Sequence, residues 1–460
     1  MLSPLTHLAH RLAFASARIA CSVILPGLAL APTLAMSGEA PALSRSPFAP
    51  ATAAPGATLF TRLDPAATGI TVQNPYDDPQ MWGTRYREFM GGGLGSGVAA
   101  GDFDGDGRVD LYVSTKTKPG RLYRNLGDWK FADATEAAGL AENSMMSWLK
   151  GAVGSDTKTV WRQGAVFADV NNDARLDLYV CRNNAPNLLY INQRDGTFTE
   201  EAEDRGLAIV DGSVVGAFAD YDRDGWLDVF IVTNQVTGTE PAGRPDRLFR
   251  NHGDGRFTEV TAKAGISGAT FGHSATWIDY DADGWPDLHV ANDFSGPDRL
   301  YRNNGDGTFT DVLDRVVPHT PFSSMGADLA DINNDGHFDL FVADMATTTR
   351  EKDRRGLAAS RDDVVSMAAR GDAAPQYMRN ALLLNTGQGV FGEAACWAGI
   401  DATDWTWSVR FEDFDNDGWA DLHVTNGMVR EPNNVDLLAQ MMRALSDLQR
   451  ISVIKKAPVL

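Results

Sequence analysis

The sequence predicts an all-β fold, a β-propeller of four-stranded antiparallel blades, and three observations carry that prediction. The spacing Asp-x-(Asp/Asn)-x-Asp-x-x-x-Asp recurs six times, each time between two short apolar runs. A second element, typified by Leu122-Tyr123-Arg124-Asn125, keeps step with it. The composition is rich in turn formers, with 45 Gly and 21 Pro among 460 residues and 43% apolar content, and shows few long helical patterns.

The chain opens with a stretch that reads as a signal peptide, residues 1–35. Arg11 and Arg18 give a positive start, Ile19 to Leu30 is apolar, and Ala29-Leu30-Ala31 or Thr33-Leu34-Ala35 offers small residues for cleavage. Export is therefore expected, to an extracellular, cell-surface or periplasmic place. A lipoprotein reading through Cys21 is disfavoured, because Arg18 stands where an aliphatic residue is wanted. No later run approaches the ~18 apolar residues of a membrane span. Residues 36–58, rich in Ala, Pro and Ser, read as a flexible linker. Beyond it the cysteines are Cys181 and Cys396, in well-separated repeats, and these are expected to be two buried free thiols.

The propeller is expected over residues 59–430. Its acidic loops are Asp102, Asp104, Asp106 and Asp110; Asp169, Asn171, Asp173 and Asp177; Asp220, Asp222, Asp224 and Asp228; Asp279, Asp281, Asp283 and Asp287; Asp331, Asn333, Asp335 and Asp339; and Asp413, Asp415, Asp417 and Asp421. Four acidic or amide side chains within nine residues repel one another unless a cation sits among them. Positions one, three, five and nine offer side-chain oxygens. The backbone carbonyl at position seven (Arg108, Arg175, Trp226, Trp285, His337, Trp419) adds another, and a bidentate last Asp with water completes the ~6–8 oxygens of calcium. The loops are not EF-hands, which need a glutamate at position twelve; here that position is Val or Ile within a strand. Up to six structural Ca²⁺ ions are expected. Position six is glycine in five copies, where the loop turns sharply, and Ala174 in the second, which should make that site the weakest.

Each Leu-Tyr-Arg-Asn-like element leads into a Gly turn that closes on a phenylalanine (Phe131, Phe198, Phe257, Phe309, Phe391), and Phe60 to Gly69 is a near copy upstream of the first loop. One unit thus reads strand, acidic loop, strand, connection, strand, Gly turn, strand, over ~50 residues, which is a propeller blade. Blades bury their faces only against neighbours, so the copies should close into a ring of six or seven. Successive turns of a meander alternate between its two ends, which puts the acidic loops on one face. The long insertions, Ala141 to Arg162, Thr233 to Pro245 and Thr347 to Met378, fall on the other, which is expected to contact a partner. The tail, residues 431–460, places Leu438, Met441, Leu445 and Leu448 on one helical stripe.

Lines such as Trp277-Ile278-Asp279-Tyr280-Asp281-Ala282-Asp283-Gly284 and Tyr301-Arg302-Asn303-Asn304-Gly305-Asp306-Gly307 resemble the FG-GAP/VCBS repeat family, which includes the propeller head of integrin α subunits and exported cartilage-acidic-protein-like proteins. The resemblance covers about Phe60 to Arg430. It implies structural calcium on one propeller face and a role in adhesion or protein recognition.

A net charge of −20 argues against nucleic acid as partner. Catalytic signatures are poor: there is no His-Glu-x-x-His, Cys-x-x-Cys or Gly-x-Ser-x-Gly. His289 and His423 fill the same slot in two blades and are expected to pack; His273, Trp277, Trp405 and Trp407, on strands entering acidic loops, are expected in the core. The expected function is a non-catalytic, exported, calcium-binding module that recognises an extracellular or periplasmic protein or a surface glycan. The alternative is a secreted carbohydrate-active enzyme of the polysaccharide-lyase kind, which would need a Tyr, His or Lys base and an Arg converging in one cleft.

Overall fold

A computed structural model describes residues 60–86, 88–89, 95–141, 160–234, 244–268, 271–293, 296–349, 351–352 and 374–427. The chain divides into two compact units, Met1–Pro47 and Phe48–Leu460, and all described residues lie in the second. The segments expected to be signal peptide, linker and C-terminal helix, and most of the three insertions, lie outside the described residues.

A helical turn, α1 (Pro65–Thr68), precedes the first blade, which is β1 (Val98–Gly101), β2 (Asp110–Val113), β3 (Arg121–Gly127) and β4 (Lys130–Asp133). The second is β5 (Trp161–Ala168), β6 (Asp177–Pro186), β7 (Leu188–Gln193) and β8 (Thr197–Glu200), followed by α2 (Ala202–Arg205). The third is β9 (Val210–Ala219), β10 (Asp228–Thr233), β11 (Arg247–Asn251) and β12 (Phe257–Glu259). The fourth is β13 (Gly272–Ile278), β14 (Asp287–Asn292), β15 (Arg299–Asn303) and β16 (Phe309–Asp311), followed by α3 (Leu313–Val316) and the short β17 (Thr320–Pro321). The fifth runs β18 (Ala327–Ala330), β19 (Asp339–Val342), β20 (Gln376–Tyr377), β21 (Ala381–Asn385) and β22 (Phe391–Glu393), then α4 (Ala395–Ala398). Of the sixth, β23 (Thr406–Glu412) and β24 (Asp421–Asn426) are described.

Each blade is an antiparallel meander in chain order; β20 stands apart, pairing in parallel with β17, and the far end of β6 also pairs with β9, which joins the second and third sheets. One register closes all six acidic loops. The residue just before the motif pairs with its last Asp: Gly101 with Asp110, Ala168 with Asp177, Ala219 with Asp228, Ile278 with Asp287, Ala330 with Asp339 and Glu412 with Asp421.

The core lies between blades rather than within them. Val170 and Tyr179 of the second blade meet Val229, Ile231 and Phe257 of the third, and the same places recur as Tyr221 and Phe230 against Leu288, Val290 and Phe309. Because a second strand is covered on both faces, β10, β14 and β19 are buried at every position and read as continuous apolar runs. The innermost strands β1, β5, β9, β13, β18 and β23 pack each against the next in that order. They converge closely: a Cβ at Gly164 would stand 2.7 Å from the Val214 oxygen and one at Gly326 2.8 Å from the Trp407 oxygen, so the narrow centre demands glycine.

Around that centre lies a cavity of about 560 Å³. His273, Trp277 and Trp407 line it, half-buried, because the inner strand of a propeller turns one face to the axis; this corrects the assignment of His273 and Trp407 to the core, whereas Trp277 also packs against the buried Phe309. Cys181 is buried as expected, whereas Cys396 is exposed, because α4 carries it on the outer rim beside Arg379. No helix among the described residues is long and apolar enough to cross a membrane.

Candidate metal centres

The acidic loops are built by their own carboxylates before any ion is considered. Asp at position one spans the turn: Asp220 Oδ1 accepts the Asp224 N–H at 2.9 Å and Oδ2 the Gly225 N–H at 2.9 Å, and Asp279, Asp331 and Asp413 repeat both bonds. Position five caps position seven in the same way, as in Asp283 Oδ1 to the Trp285 N–H at 2.9 Å. This winding puts two residues of each loop at positive φ. At position six they are the five glycines and Ala174, φ 63°, so the misplaced Cβ foreseen there is real. Position four is the second, with Gly105 in the first loop but Asn172, Arg223, Ala282, Asn334 and Asn416 in the others.

The last Asp anchors the loop to the sheet. Asp110, Asp177, Asp228, Asp287 and Asp339 are wholly buried. In each, Oδ1 accepts the N–H of the third-strand asparagine and Oδ2 that of position two, as in Asp287 from Asn303 at 2.7 Å and from Tyr280 at 3.2 Å. Burial, reinforced by the neighbouring loop acids, pushes Asp110 and Asp177 up to about 6, Asp287 to about 7 and Asp228 to about 8, and raises Asp339, against the pull of the backbone donors.

Carboxylate oxygens of positions one, three and nine come within 4.8 Å of one another in four loops: Asp102, Asp104, Asp110; Asp220, Asp222, Asp228; Asp279, Asp281, Asp287; and Asp413, Asp415, Asp421. These are hard oxygen donors without nitrogen or sulfur, the chemistry of a calcium-like cation. In the second and fifth loops Asn171 and Asn333 replace the middle acid and lower the charge by one. Their amide oxygens still face the turn, accepting the Asp173 N–H at 3.2 Å and the Asp335 N–H at 3.0 Å.

Three features of the site were not singled out from the sequence. The arginine of the third strand reaches positions three and five: Arg250 Nε meets Asp222 at 2.5 Å and its NH2 meets Asp224 at 2.7 Å, and Arg124 and Arg302 do the same. Arg108 and Arg175 add ion pairs to Asp106 and Asp173 from position seven. The asparagine after the third-strand arginine staples blades together. Asn251 Nδ2 donates to the Val170 oxygen of the preceding blade at 2.8 Å and to Leu227 of its own loop at 3.1 Å. Its presence at a fixed distance in five repeats was the available signal.

The side chains at position seven cover the Gly turn of their own blade. A Cβ at Gly253 would come within 3.0 Å of Trp226 and one at Gly387 within 2.5 Å of His337. Arg223 also stacks over Trp285 of the next blade, 5.2 Å from its ring. Trp419 is exposed. His289 packs as expected, buried with Nε2 3.2 Å from Asp298, while its counterpart His423 is exposed between Phe60 and Phe414.

Antiparallel blades packed side by side, each carrying one acidic loop at the same end, define a propeller with repeated acidic loops. The model of the FG-GAP-like repeat matches residues 102–180, 169–231, 236–290, 279–342 and 360–424, and the chain belongs to that family. It is 26% identical to mouse cartilage acidic protein 1 over 50% of this chain and 34% of that one, and 25% identical to the human protein over 54% and 37%. The chain thus spans about a third of the length of these relatives. Among solved structures it is similar to an Agrocybe aegerita lectin described as recognising non-reducing terminal N-acetylglucosamine (16% identity, 71% and 70% covered, TM-score 0.36). A Bacillus licheniformis rhamnogalacturonan lyase is also similar (12% identity, 58% and 56% covered, TM-score 0.30).

Proposed function

We propose that this chain is an exported, calcium-stabilised propeller that binds a protein or a surface glycan without chemistry. The single observation that carries the reading is the set of four carboxylate triads on one propeller face, each poised around a point that hard oxygen ligands enclose. In this reading all six loops hold Ca²⁺ through positions one, three, five and nine and the position-seven carbonyl. The ions stiffen the loops, and the opposite, insertion-bearing face is left free for a partner. The cartilage acidic protein relatives support an extracellular setting.

Replacing Thr347 to Met378 by a short Gly/Ser turn tests the assignment of faces. Binding to a glycan array and to envelope proteins should fall at least tenfold, while the calcium response of the fold stays unchanged. Unaltered binding would sink the partner-face assignment.

A second reading has one specific observation in its favour. His319 stands edge-on to Tyr377 with ring centroids 4.9 Å apart, and the Arg379 guanidinium lies 5.8 Å from the same ring. Burial pushes the His319 imidazole down, which favours the neutral form, the one able to accept a proton. A neutral base, a phenol and a cation are what β-elimination from a uronate needs. Incubation with pectin and alginate, read by ultraviolet absorbance of an unsaturated product, decides this reading. Activity that Tyr377→Phe or His319→Ala abolishes would replace the binding-module reading by an enzyme.

A further inference from the structure

We propose that Asp344, Asn292 and Ser324 form a site for one alkali-metal cation, buried where the fourth blade meets the fifth, at the end of the blades opposite the acidic loops.

The site arises from a slot that four blades repeat. The residue at the exit of the second strand donates its N–H to a side chain at the entry of the third: Arg182 to Asn187 at 2.8 Å, Thr233 to Asp246 at 2.8 Å, Asn292 to Asp298 at 2.9 Å and Asp344 to Asn380 at 2.7 Å. In the third blade Thr233 satisfies its hydroxyl locally, on the Pro245 oxygen at 3.0 Å. The repeat therefore does not call for a carboxylate in this slot. Asp344 needs another reason.

Hydrogen bonds gather three oxygens around the junction. Asp344 Oδ2 accepts the Phe322 N–H at 2.9 Å and the Ser323 N–H at 2.8 Å, and the next residue, Ser324, donates its N–H to the Asn292 oxygen at 3.2 Å. The segment entering β18 thus spans from the carboxylate of the fifth blade to the backbone of the fourth. The Met325 N–H donates to the Ala343 oxygen at 2.9 Å and holds that segment beside Asp344. All three side chains are wholly buried. Each presents an oxygen without a hydrogen-bond partner: Asp344 Oδ1, Asn292 Oδ1 and Ser324 Oγ. The Asn292 amide is fixed in this sense, because its Nδ2 donates to the Pro297 oxygen at 3.1 Å.

Charge identifies the ligand. A carboxylate out of water needs a counter-charge, and among the described residues no lysine or arginine pairs with Asp344. Burial, with Asp293 and Asp298 of the fourth blade close by, pushes its carboxyl up to about 8. Those two acids have partners already. Asp298 Oδ1 takes the Asn292 N–H and its Oδ2 stands 3.2 Å from His289 Nε2, while Asp293 Oδ2 stands 3.6 Å from His273 Nε2. The charge left over is that of Asp344, beside an amide oxygen and a hydroxyl. One carboxylate with neutral oxygens suits a hard cation of single charge, whereas four of the acidic loops set three carboxylates around a point. A water would complete the hydrogen bonds but not the charge. Bound there, the cation ties the entry of the fifth blade to the exit of the fourth, at the root of the insertion that follows Ala346.

The test follows hydrogen exchange of the 460-residue chain in sodium, potassium or choline chloride of equal ionic strength. Calcium is held at one concentration, so that the acidic loops are in the same state in every arm. At about pH 8.5, amides of 320–325 and 341–346 should exchange about tenfold more slowly in sodium or potassium than in choline, the protection given by a ligand at about ten times its Kd. Amides of 228–233, in the third blade, should not respond. Asp344→Asn, which keeps an acceptor for both N–H groups, should erase the difference; the choline arm is the condition in which Asp344 of the parent titrates against protons alone. Ser324→Ala adds a change of sign. In choline it removes an unpartnered buried hydroxyl and leaves the urea midpoint level or higher, whereas in the alkali salt it removes a ligand and lowers the midpoint. Equal exchange in alkali and choline salts overturns the proposal and leaves a proton or a water on Asp344. A difference that survives Asp344→Asn overturns it too, by placing the cation elsewhere. Neither result depends on whether the acidic loops bind calcium.

Discussion

At the scale of single residues, Ala174 shows how far one side chain can be read from sequence. The glycine at position six of five loops said that the backbone turns left-handed there, and Ala174 adopts φ 63° to keep the turn. Ala174→Gly removes a Cβ from a conformation that costs ~1 kcal/mol or more for an L-residue. It should raise stability in urea by about 1 kcal/mol; a neutral or negative change would mean that the extra unfolded-state freedom of glycine dominates. Position four was not legible, because Arg223, Ala282 and three asparagines share its left-handed backbone without a common side chain. Asp344 was equally hidden, outside every motif. It is wholly buried, with Oδ2 accepting the Phe322 and Ser323 N–H groups and Oδ1 unpartnered. Burial first, then Asp293 and Asp298 nearby, pushes it up to about 8. Since the folded value lies above the unfolded one, the folded state holds the extra proton, and stability falls as pH rises from about 4 to about 8. That slope approaches about 1.4 kcal/mol per pH unit for one proton. Asp344→Asn keeps an acceptor for both N–H groups and cannot ionise. The variant should be more stable than the parent above pH 8 and lose this share of the slope; an unchanged urea midpoint between pH 5 and 8 would refute the assignment.

At the scale of elements, the blade was legible because its parts repeat: strand, acidic loop, strand and Gly turn all stand where their spacing placed them. The joints between blades were not, since a contact between repeats leaves no trace within the repeat. The third-strand asparagine is the clearest case. Asn251 is fully buried, its Nδ2 spans two blades, and its Oδ1 accepts the Gly253 N–H at 3.1 Å and the Gly255 N–H at 3.2 Å. Asn251→Ala would orphan carbonyls and amides that water cannot reach, at ~1–3 kcal/mol per unsatisfied group. A loss of about 3 kcal/mol is expected for Asn251→Ala, and under half of that for Asn125→Ala, whose Nδ2 serves only its own loop. Equal losses would show that the staple acts within the blade and not between blades. The third-strand arginines were visible as letters but not as partners of the acids. Arg124, Arg250 and Arg302 are each about 40% exposed, so their pairs contribute little to stability on their own. Their effect is to hold positions three and five near each other when no cation is bound.

At the scale of the whole molecule, the proposed calcium sites would couple ion binding to the fold through the buried last aspartates. Each is deprotonated at a cost, visible as the upward shift, and a divalent cation repays that cost by favouring the ionised form. A metal bound only by the folded state stabilises it by RT ln(1 + [L]/Kd) per site. With ~10⁻⁴–10⁻³ M affinities, a few millimolar calcium contributes about 1–2 kcal/mol per loop. The loops are not equivalent. Four bring three carboxylates together, while Asn171 and Asn333 each remove a charge from theirs, and Ala174 adds strain to the second. Calcium titration of the chain from Met36 onward should therefore show about four tighter equivalents followed by about two weaker ones. Its thermal midpoint should rise by about 10 °C over EDTA, with magnesium giving far less because it demands tighter octahedral geometry. Asn171→Asp and Asn333→Asp should each move one equivalent from the weaker class to the tighter. A calcium-independent midpoint would leave the arginine pairs and backbone caps as the only partners of the loop acids, and the blades would then be held by the asparagine staples and interblade apolar contacts alone.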